Sequence, residues 1–258
     1  MIKFFRHIRK SLLMKNQTGK YFKYAIGEII LVVIGILIAL QINNWNENRK
    51  RTNQEHVILR SLKSDFKESE KRLQHTLMMQ KNSLARSISL ISVYENKIPM
   101  PINDSIKMYV EYGAFSWYRA ELVTGAYDAL INTGDSDLIK NGELNRLLAE
   151  YFSILNAGFE DQETSMFLLN RLQIIAEPIL LTLSVPQLRD RIELEQNSDR
   201  AKEAEAIKFL FEQKAFFGHL YNKTQLEDLR HIIQKDLMNL ISEILEIIDK
   251  ELKTIKND

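Results

Sequence analysis

An uninterrupted apolar pattern covers residues 24–42, which read YAIGEIILVVIGILIALQI. Every position from 29 to 40 is apolar or glycine, and only Glu28 and Gln41 interrupt the longer stretch. An α-helix rises 1.5 Å per residue, so about 19 residues reach roughly 28 Å, close to the hydrocarbon thickness of a bilayer. A helix that is apolar on all sides over this length has no place in a small soluble domain. The pattern therefore predicts one transmembrane helix over residues 24–43.

Beyond the span, apolar residues recur in steps of three, four or seven along three long segments, 47–97, 142–177 and 225–256. This spacing is typical of amphipathic helices, each with one apolar face that needs a partner to bury it. The simplest arrangement is an antiparallel helical bundle with coiled-coil-like spacing and shorter helices packed alongside. The sequence therefore predicts an all-α fold, in which one N-terminal transmembrane helix precedes a bundle over residues 44–258.

Proline, glycine and capping residues predict where the helices begin and end. Pro178 ends or kinks the second long helix, and Thr224 with Glu227 forms a capping box, T-x-x-E, before the last one. Two shorter helices are predicted between the first two long ones: a stretch to Gly113 capped by Asn103 or Asp104, and a helix over 118–132 ended by Gly134. A connection over 135–142 follows, from which Leu138 and Ile139 return to the core. After the second long helix the sequence predicts a short helix after Pro186 and a helix from Ser198 or Asp199 to Tyr221.

Composition supports this interpretation and excludes several kinds of chemistry. The chain has 258 residues, is 45% hydrophobic and 27% charged, and contains only 9 Gly and 4 Pro, which favours a few long helices over many short strands. There is no Cys, which excludes disulfides, thiolate zinc sites, iron–sulfur clusters and thiol catalysis. The net charge is +1, so no global field points to nucleic acid, and none is expected as a partner.

Basic residues crowd the segment before the span. Residues 1–23 contain Lys and Arg but no acid, whereas the basic cluster 49–51 after the span is offset by Glu47 and Glu55. An excess of Lys and Arg close to a span marks its cytoplasmic side. We therefore expect residues 1–23 to be a cytoplasmic segment and the domain beyond the span to be extracytoplasmic.

Two further interpretations of the N-terminal region stay open. The apolar residues at 2, 4, 5, 8, 12 and 13 alternate with Lys and Arg, which fits either a basic amphipathic helix on an anionic leaflet or a simple topogenic charge cluster. A signal peptide is the competing interpretation of residues 1–42. The apolar run is long and no small-x-small cleavage site follows it, so we expect an uncleaved anchor.

The same region resembles a known family. The segment MIKFFRHIRKSLL, followed by KYFKYAIGEIILVVIGILIALQINNWNENRK, is similar to the hallmark N terminus of an uncharacterised family of bacterial single-pass membrane proteins, a domain of unknown function. A looser resemblance continues at Tyr127, Leu130, Gly134, 138–141, Leu144, Leu148 and Tyr151. The resemblance implies an anchor in the bacterial inner membrane with a helical outer domain, which would be periplasmic, and it implies no established activity or substrate.

One face of the predicted membrane helix carries unusual residues. Glu28, Gly35 and Ala39 are spaced by seven and four, so they share one side of the helix. Gly35 and Ala39 form a small-xxx-small pair, which lets helix backbones approach closely, and a carboxyl group in a membrane gains from a donor. We therefore predict that this face meets another membrane helix, either a second copy or a partner. The alternative is that Glu28 reaches the basic interface near Lys20 or Lys23 and that the small residues are incidental.

Candidate chemistry is sparse in the outer domain. Asp228 and His231 form one D-x-x-H pair, but a two-metal carboxylate bundle needs a second copy, and the sequence contains none. No protease, hydrolase, phosphate-loop or dinucleotide-binding signature occurs. An aromatic cluster of Tyr109, Tyr112, Phe115, Trp117 and Tyr118 can form plain core or line a ligand pocket.

These observations favour a membrane-anchored, non-enzymatic module for interaction or sensing, without a cofactor. Its expected partners are the lipid bilayer and either a second copy or another membrane protein. A structural role as an envelope scaffold is the alternative, and a ligand carrier or enzyme with a site in the helical domain is a third hypothesis.

Overall fold

Helices dominate the part of the chain that the structure describes. The structure is a computed structural model that describes residues 18–157, 161–193 and 199–257. No strand occurs within these ranges, so the predicted all-α class is confirmed. The helices in chain order are α1 (Thr18–Tyr94), α2 (Asn103–Tyr109), a π-helical turn (Val110–Ala114), α3 (Gly125–Thr133), a 3-10 turn (Asp135–Leu138), α4 (Gly142–Ala157), α5 (Gln162–Ala176), a 3-10 turn (Glu177–Ile179), α6 (Pro186–Arg191), α7 (Arg200–Glu212) and α8 (Lys214–Asn257).

The chain divides into two compact units, residues 1–57 and residues 58–258. In the described part of the first unit, every large apolar side chain from Ile26 to Ile42 is 46–63% exposed. By length and composition, α1 can cross a membrane. The predicted interpretations of residues 1–17 lie outside the described residues, and the predicted domain limits 1–23, 24–43 and 44–258 remain predictions.

The described residues of the second unit form two separate apolar cores. The first core joins buried residues of α1, α4 and α8, with Phe66, Tyr151 and Phe152 in mutual edge-to-face contact. The second core joins the end of α1 with α2, α5, α7 and the start of α8, where Tyr94 stacks on Phe217. The helices that line these cores therefore bury an apolar face, and such burial supplies most of the stability of a helix in water.

Several predicted helix ends are confirmed. Gly134 ends α3 with φ of 73°, a left-handed conformation that favours glycine at this position. Asp199 caps α7, because its carboxylate accepts a hydrogen bond from the Lys202 amide at 3.1 Å. Pro186 opens α6, and Ile139 is buried in the first core, whereas Leu138 is only half-buried.

The predicted helix over 118–132 is wrong in its first half, because α3 begins only at Gly125. Side chains of α1 satisfy the backbone of the preceding irregular segment. Arg72 donates to the Glu121 carbonyl at 3.1 Å and Ser69 accepts from the Val123 amide at 2.8 Å, while Asp65 accepts from the Ala126 amide in the first turn of α3 at 2.7 Å. These bonds replace the intrahelical bonds that a regular helix would make.

Other predicted boundaries also need correction. The segment 142–177 contains two helices, α4 and α5, with 158–160 outside the described residues. The helix after Asp199 ends at Glu212 rather than Tyr221. Neither Asn103 nor Asp104 is the cap of α2, because extended Ile102 holds that position without a side-chain bond.

Candidate functional site, a buried polar layer

Polar side chains occupy core positions in the middle of α8. Lys223, Glu227, Arg230 and Gln234 follow steps of four, three and four, and each is at most 4% exposed. On one side of them Leu220 belongs to the second apolar core, and on the other side Leu237 belongs to the first. Together with their contacts they form what we call the polar layer, whose members are Gln80, Ser83, Gly113, Ser116, Trp117, Asp161, Ser165, Lys223, Glu227, Arg230 and Gln234.

The helix α1 contributes polar core positions as well. Gln80, Ser83 and Ser87 are buried, whereas Ile88, which the apolar pattern places on the buried stripe, is 53% exposed. Polar residues therefore hold the interior face of this part of α1, and Ile88 lies outside the core although it follows the apolar spacing. A stripe defined by apolar residues alone misses such positions.

A lysine and a glutamate form the centre of the layer. Lys223 Nζ lies 2.6 Å from Glu227 Oε1, one turn further along α8, and also donates to the Gly113 carbonyl at 3.3 Å. Burial lowers the pKa of Lys223 and raises the pKa of Glu227, because each charged form loses its water, and the attraction between the two groups opposes both shifts.

The predicted capping box at Thr224 and Glu227 is therefore wrong. Both residues lie inside α8, where the Thr224 hydroxyl donates to the Leu220 carbonyl at 2.7 Å. The Glu227 carboxylate binds Lys223 instead of a free backbone amide. The T-x-x-E pattern matches a helix start locally, but apolar residues at 216, 217 and 220 pack into the second core and continue the helix backwards.

The π-helical turn places a backbone carbonyl at the edge of this pair. Besides the lysine, the Gly113 carbonyl faces the hydroxyls of Ser116 at 3.1 Å and Ser83 at 3.5 Å. A Cβ atom on Gly113 would lie 2.8 Å from the Ser87 amide nitrogen and 2.9 Å from Arg86 Cβ, so only glycine allows this approach to α1. Such π-turns occur frequently at functional sites.

Arg230 joins α8 to the start of α5. Its Nη2 donates to the Asp161 carboxylate and to Ser165 Oγ, the latter at 2.7 Å. Its guanidinium carbon lies 4.9 Å from the centre of the Trp117 ring, a cation–π contact. The Asp161 side chain is 23% exposed, so the layer reaches the surface at this point.

Several buried polar atoms of the layer have no hydrogen-bond partner among the described residues. They are Trp117 Nε1, Glu227 Oε2, Arg230 Nε and Nη1, and both polar atoms of the Gln234 amide. An unsatisfied buried group costs about 1–3 kcal/mol, and more where the group is charged. The layer therefore has unused hydrogen-bonding capacity, mostly as donors, in the interior of the unit.

The residues singled out for metal or pocket chemistry have separate surroundings. His231 Nδ1 lies 3.3 Å from Gln80 Oε1, and among the described residues no group of three or more metal-ligating side chains occurs. Of the aromatic cluster, Phe115 packs edge-on against Phe216 in the second core, and Tyr112 lies near the Arg86 guanidinium. Trp117 lies against the Arg230 guanidinium, a charged group of the polar layer.

The predicted membrane-helix face lies in the exposed part of α1. Gly35 and Ala39 are exposed, Glu28 is half-buried, and a Cβ on Gly35 would meet no atom within 4 Å. The structure thus brings no other described residue against Gly35. The hypothesis that this face meets another membrane helix stays a prediction.

The comparisons with known proteins bear on α1. Residues 28–97 match the model of a family of unknown function (DUF6090). The match agrees with the resemblance drawn from the N-terminal sequence and covers less than half of the chain. Neither the curated proteins nor the solved structures gave a match.

Sequence reasoning missed the charged members of the polar layer, because it traced the buried face of the last helix through apolar residues alone. One signal was available. Counting back from Leu237 in steps of three and four reaches 234, 230, 227 and 223 in turn. The buried face of α8 thus continues through Gln, Arg, Glu and Lys. Following the helical spacing regardless of residue type would have predicted these polar residues in the interior.

Proposed function

We propose that the protein is a membrane-anchored, non-enzymatic helical module for interaction or sensing. The observation that carries this proposal is the exposure of every large apolar side chain from Ile26 to Ile42. Water disfavours such a surface, whereas a lipid bilayer or a membrane partner stabilises it. The second unit supplies two cores and a layer of polar groups that a partner or ligand can address.

We further propose that this unit is an antiparallel bundle on the periplasmic side of the bacterial inner membrane. Two contacts between α1 and α8 support antiparallel packing. Lys63 pairs with Asp249, near the end of α8. Gln80 lies later in α1 than Lys63, and it contacts His231, which lies earlier in α8 than Asp249. The basic segment 1–23 supports a cytoplasmic N terminus, because Lys and Arg concentrate there without any acid.

Alkaline phosphatase fusions test the topology. We expect enzyme activity from a fusion after Asp258 and none from a fusion after Thr18, because the phosphatase folds only outside the cytoplasm. Immunoblots of both fusions control for expression. Activity from the Thr18 fusion alone would overturn both the orientation and the periplasmic assignment.

The face at Glu28, Gly35 and Ala39 gives this module a means of meeting another membrane helix. In a membrane-association reporter carrying residues 20–46, we expect Gly35→Ile to reduce association strongly, because a large side chain separates the two backbones. Leu37→Ile, on another side of the helix, is the matched control and should leave association unchanged. Glu28→Gln then measures the contribution of the carboxyl group.

Equal association of the parent segment and all variants would exclude self-pairing through this face. An absence of association in every case would do the same. Crosslinking of the full chain in native membranes, followed by mass spectrometry, would then show whether a different membrane protein contacts these positions.

A further inference from the structure

The guanidinium group of Arg230 is only partly used. Its Nη2 donates the hydrogen bonds to Asp161 and Ser165, while Nε and Nη1 have no hydrogen-bond partner among the described residues. Arg230 is 1% exposed, so water at the surface does not reach these groups freely. A buried cation with unpaired N–H groups is costly, and its best partner is an acceptor that engages two of them at once.

The partial use of Arg230 has a specific geometry. Nε and Nη2 share one edge of a guanidinium group, and that edge matches the two oxygens of a carboxylate. Asp161 bonds to the guanidinium through Nη2 alone, and its Oδ2 atom also accepts from Ser165 Oγ at 3.0 Å. The chain's own carboxylate therefore makes a one-point contact where a free carboxylate can make two.

Other donors surround the same group. Trp117 Nε1 is buried without an acceptor, and its ring lies against the guanidinium. The amide of Gln234, one turn after Arg230 on the same face of α8, is also buried without a partner. These groups offer a guest hydrogen bonds that the described residues do not use.

The charge of the layer permits an exchange of carboxylates. Lys223 and Arg230 face two acids, Glu227 and Asp161, so an added anion would leave an excess of negative charge. Asp161 is the member at the surface, with a side chain that is 23% exposed, and it can turn into solvent. A guest that takes the place of Asp161 on Arg230 keeps the number of buried charges constant, which avoids the cost of burying one more ion.

We propose that the polar layer binds a small carboxylate, which displaces Asp161 and bonds to Arg230, Trp117 and Gln234. This inference goes beyond the proposed anchoring and interaction role, because it names the chemical class of a ligand. Binding of the ligand would also change the structure near Asp161. Asp161 immediately precedes α5, so its release frees the start of a helix that packs in the second core.

The test uses the full chain in detergent and acetate as the probe. Thermal unfolding is followed by circular dichroism in sodium acetate and in sodium chloride at equal ionic strength. We expect a saturable rise in melting temperature with acetate, above the gradual, non-saturating effect that salts have on burial. Asp161→Asn removes the internal competitor, and we expect its half-saturating acetate concentration to fall about tenfold, the loss of one charge-assisted contact.

Arg230→Lys keeps the positive charge and loses the two-point edge, so we expect the saturable response to disappear. Since this variant can also be less stable, Trp117 fluorescence provides a second measurement at a temperature where every variant is folded. Trp45→Phe is the background, which leaves Trp117 as the single tryptophan. Acetate should change its emission saturably in the parent and not in Arg230→Lys.

The proposal would be overturned if acetate and chloride changed the melting temperature equally in both the parent and Asp161→Asn. The unused groups would then be assigned to internal water. A saturable response that persists in folded Arg230→Lys would also overturn it, because binding would then lie elsewhere. Neither result depends on membrane orientation, so failure here and failure of the topology test are distinguishable.

Discussion

Lys223→Met will lower the free energy of unfolding by about 3–5 kcal/mol, because it leaves the Glu227 carboxyl buried without its main partner. Replacing both groups, in Lys223→Met/Glu227→Leu, should restore most of the loss, since two apolar side chains of similar size need no partner there. Urea unfolding of the full chain in detergent, followed by circular dichroism, measures both values. The single variant Glu227→Leu completes a double-mutant cycle, which gives the interaction energy between the two residues.

The pH dependence of the single variant has a definite sign. Burial raises the pKa of Glu227, and the lysine that opposes this effect is gone in Lys223→Met. A group whose folded-state pKa is raised stabilises the protein below its unfolded pKa and loses that contribution as the pH rises through the folded pKa. The double variant should be more stable than Lys223→Met at both pH values. The difference in unfolding free energy between the two variants should therefore be smaller at about pH 5 than at about pH 8.

A double variant as unstable as Lys223→Met would contradict this account. The loss would then come from the bond between Lys223 and the Gly113 carbonyl, which both variants remove. Equal pH dependence of the two variants would show that Glu227 is not the group that titrates.

Leu240→Asp will lower the free energy of unfolding by about 3–5 kcal/mol, because it places an unpaired carboxylate in the first apolar core. Leu240 is 8% exposed, whereas Leu229 on the same helix is 54% exposed. Leu229→Asp is therefore the matched control and should change stability by no more than about 0.5 kcal/mol. The same urea experiment compares them, and a loss for Leu240→Asp as small as the one expected for Leu229→Asp would place residue 240 outside the core.

Apolar spacing predicted the helical class and the residues of the first core with good accuracy. Leu62, Phe66, Leu144 and Leu237 follow the period and are buried. Signals that act within one turn were also informative where no distant group competed, as at Gly134 and Asp199. In these cases the conformation depends on the residue itself and on its nearest neighbours.

Sequence patterns failed where residues distant in the sequence supply the hydrogen bonds or the packing of a segment. The segment before α3 is not helical because Ser69 and Arg72 of α1 satisfy its amides and carbonyls. The pattern at Thr224 resembled a cap because nothing in the local sequence shows that Phe216, Phe217 and Leu220 pack into the second core and continue the helix backwards. The polar layer depends on contacts between residues more than 60 positions apart, such as Arg230 with Asp161, and these are not visible in any single stretch.

The polar layer also restricts how α8 can align with its neighbours. Leucine and isoleucine repeat along α8 with the same spacing, so the apolar cores alone would tolerate a slip by one heptad in either direction. Such a slip would move Arg230 to the place of Leu237 in one direction, or Lys223 to the place of Phe216 in the other, and would leave that charge among apolar side chains at a cost of several kcal/mol. The native register is therefore favoured over its neighbours by the charged residues, although apolar burial supplies most of the stability.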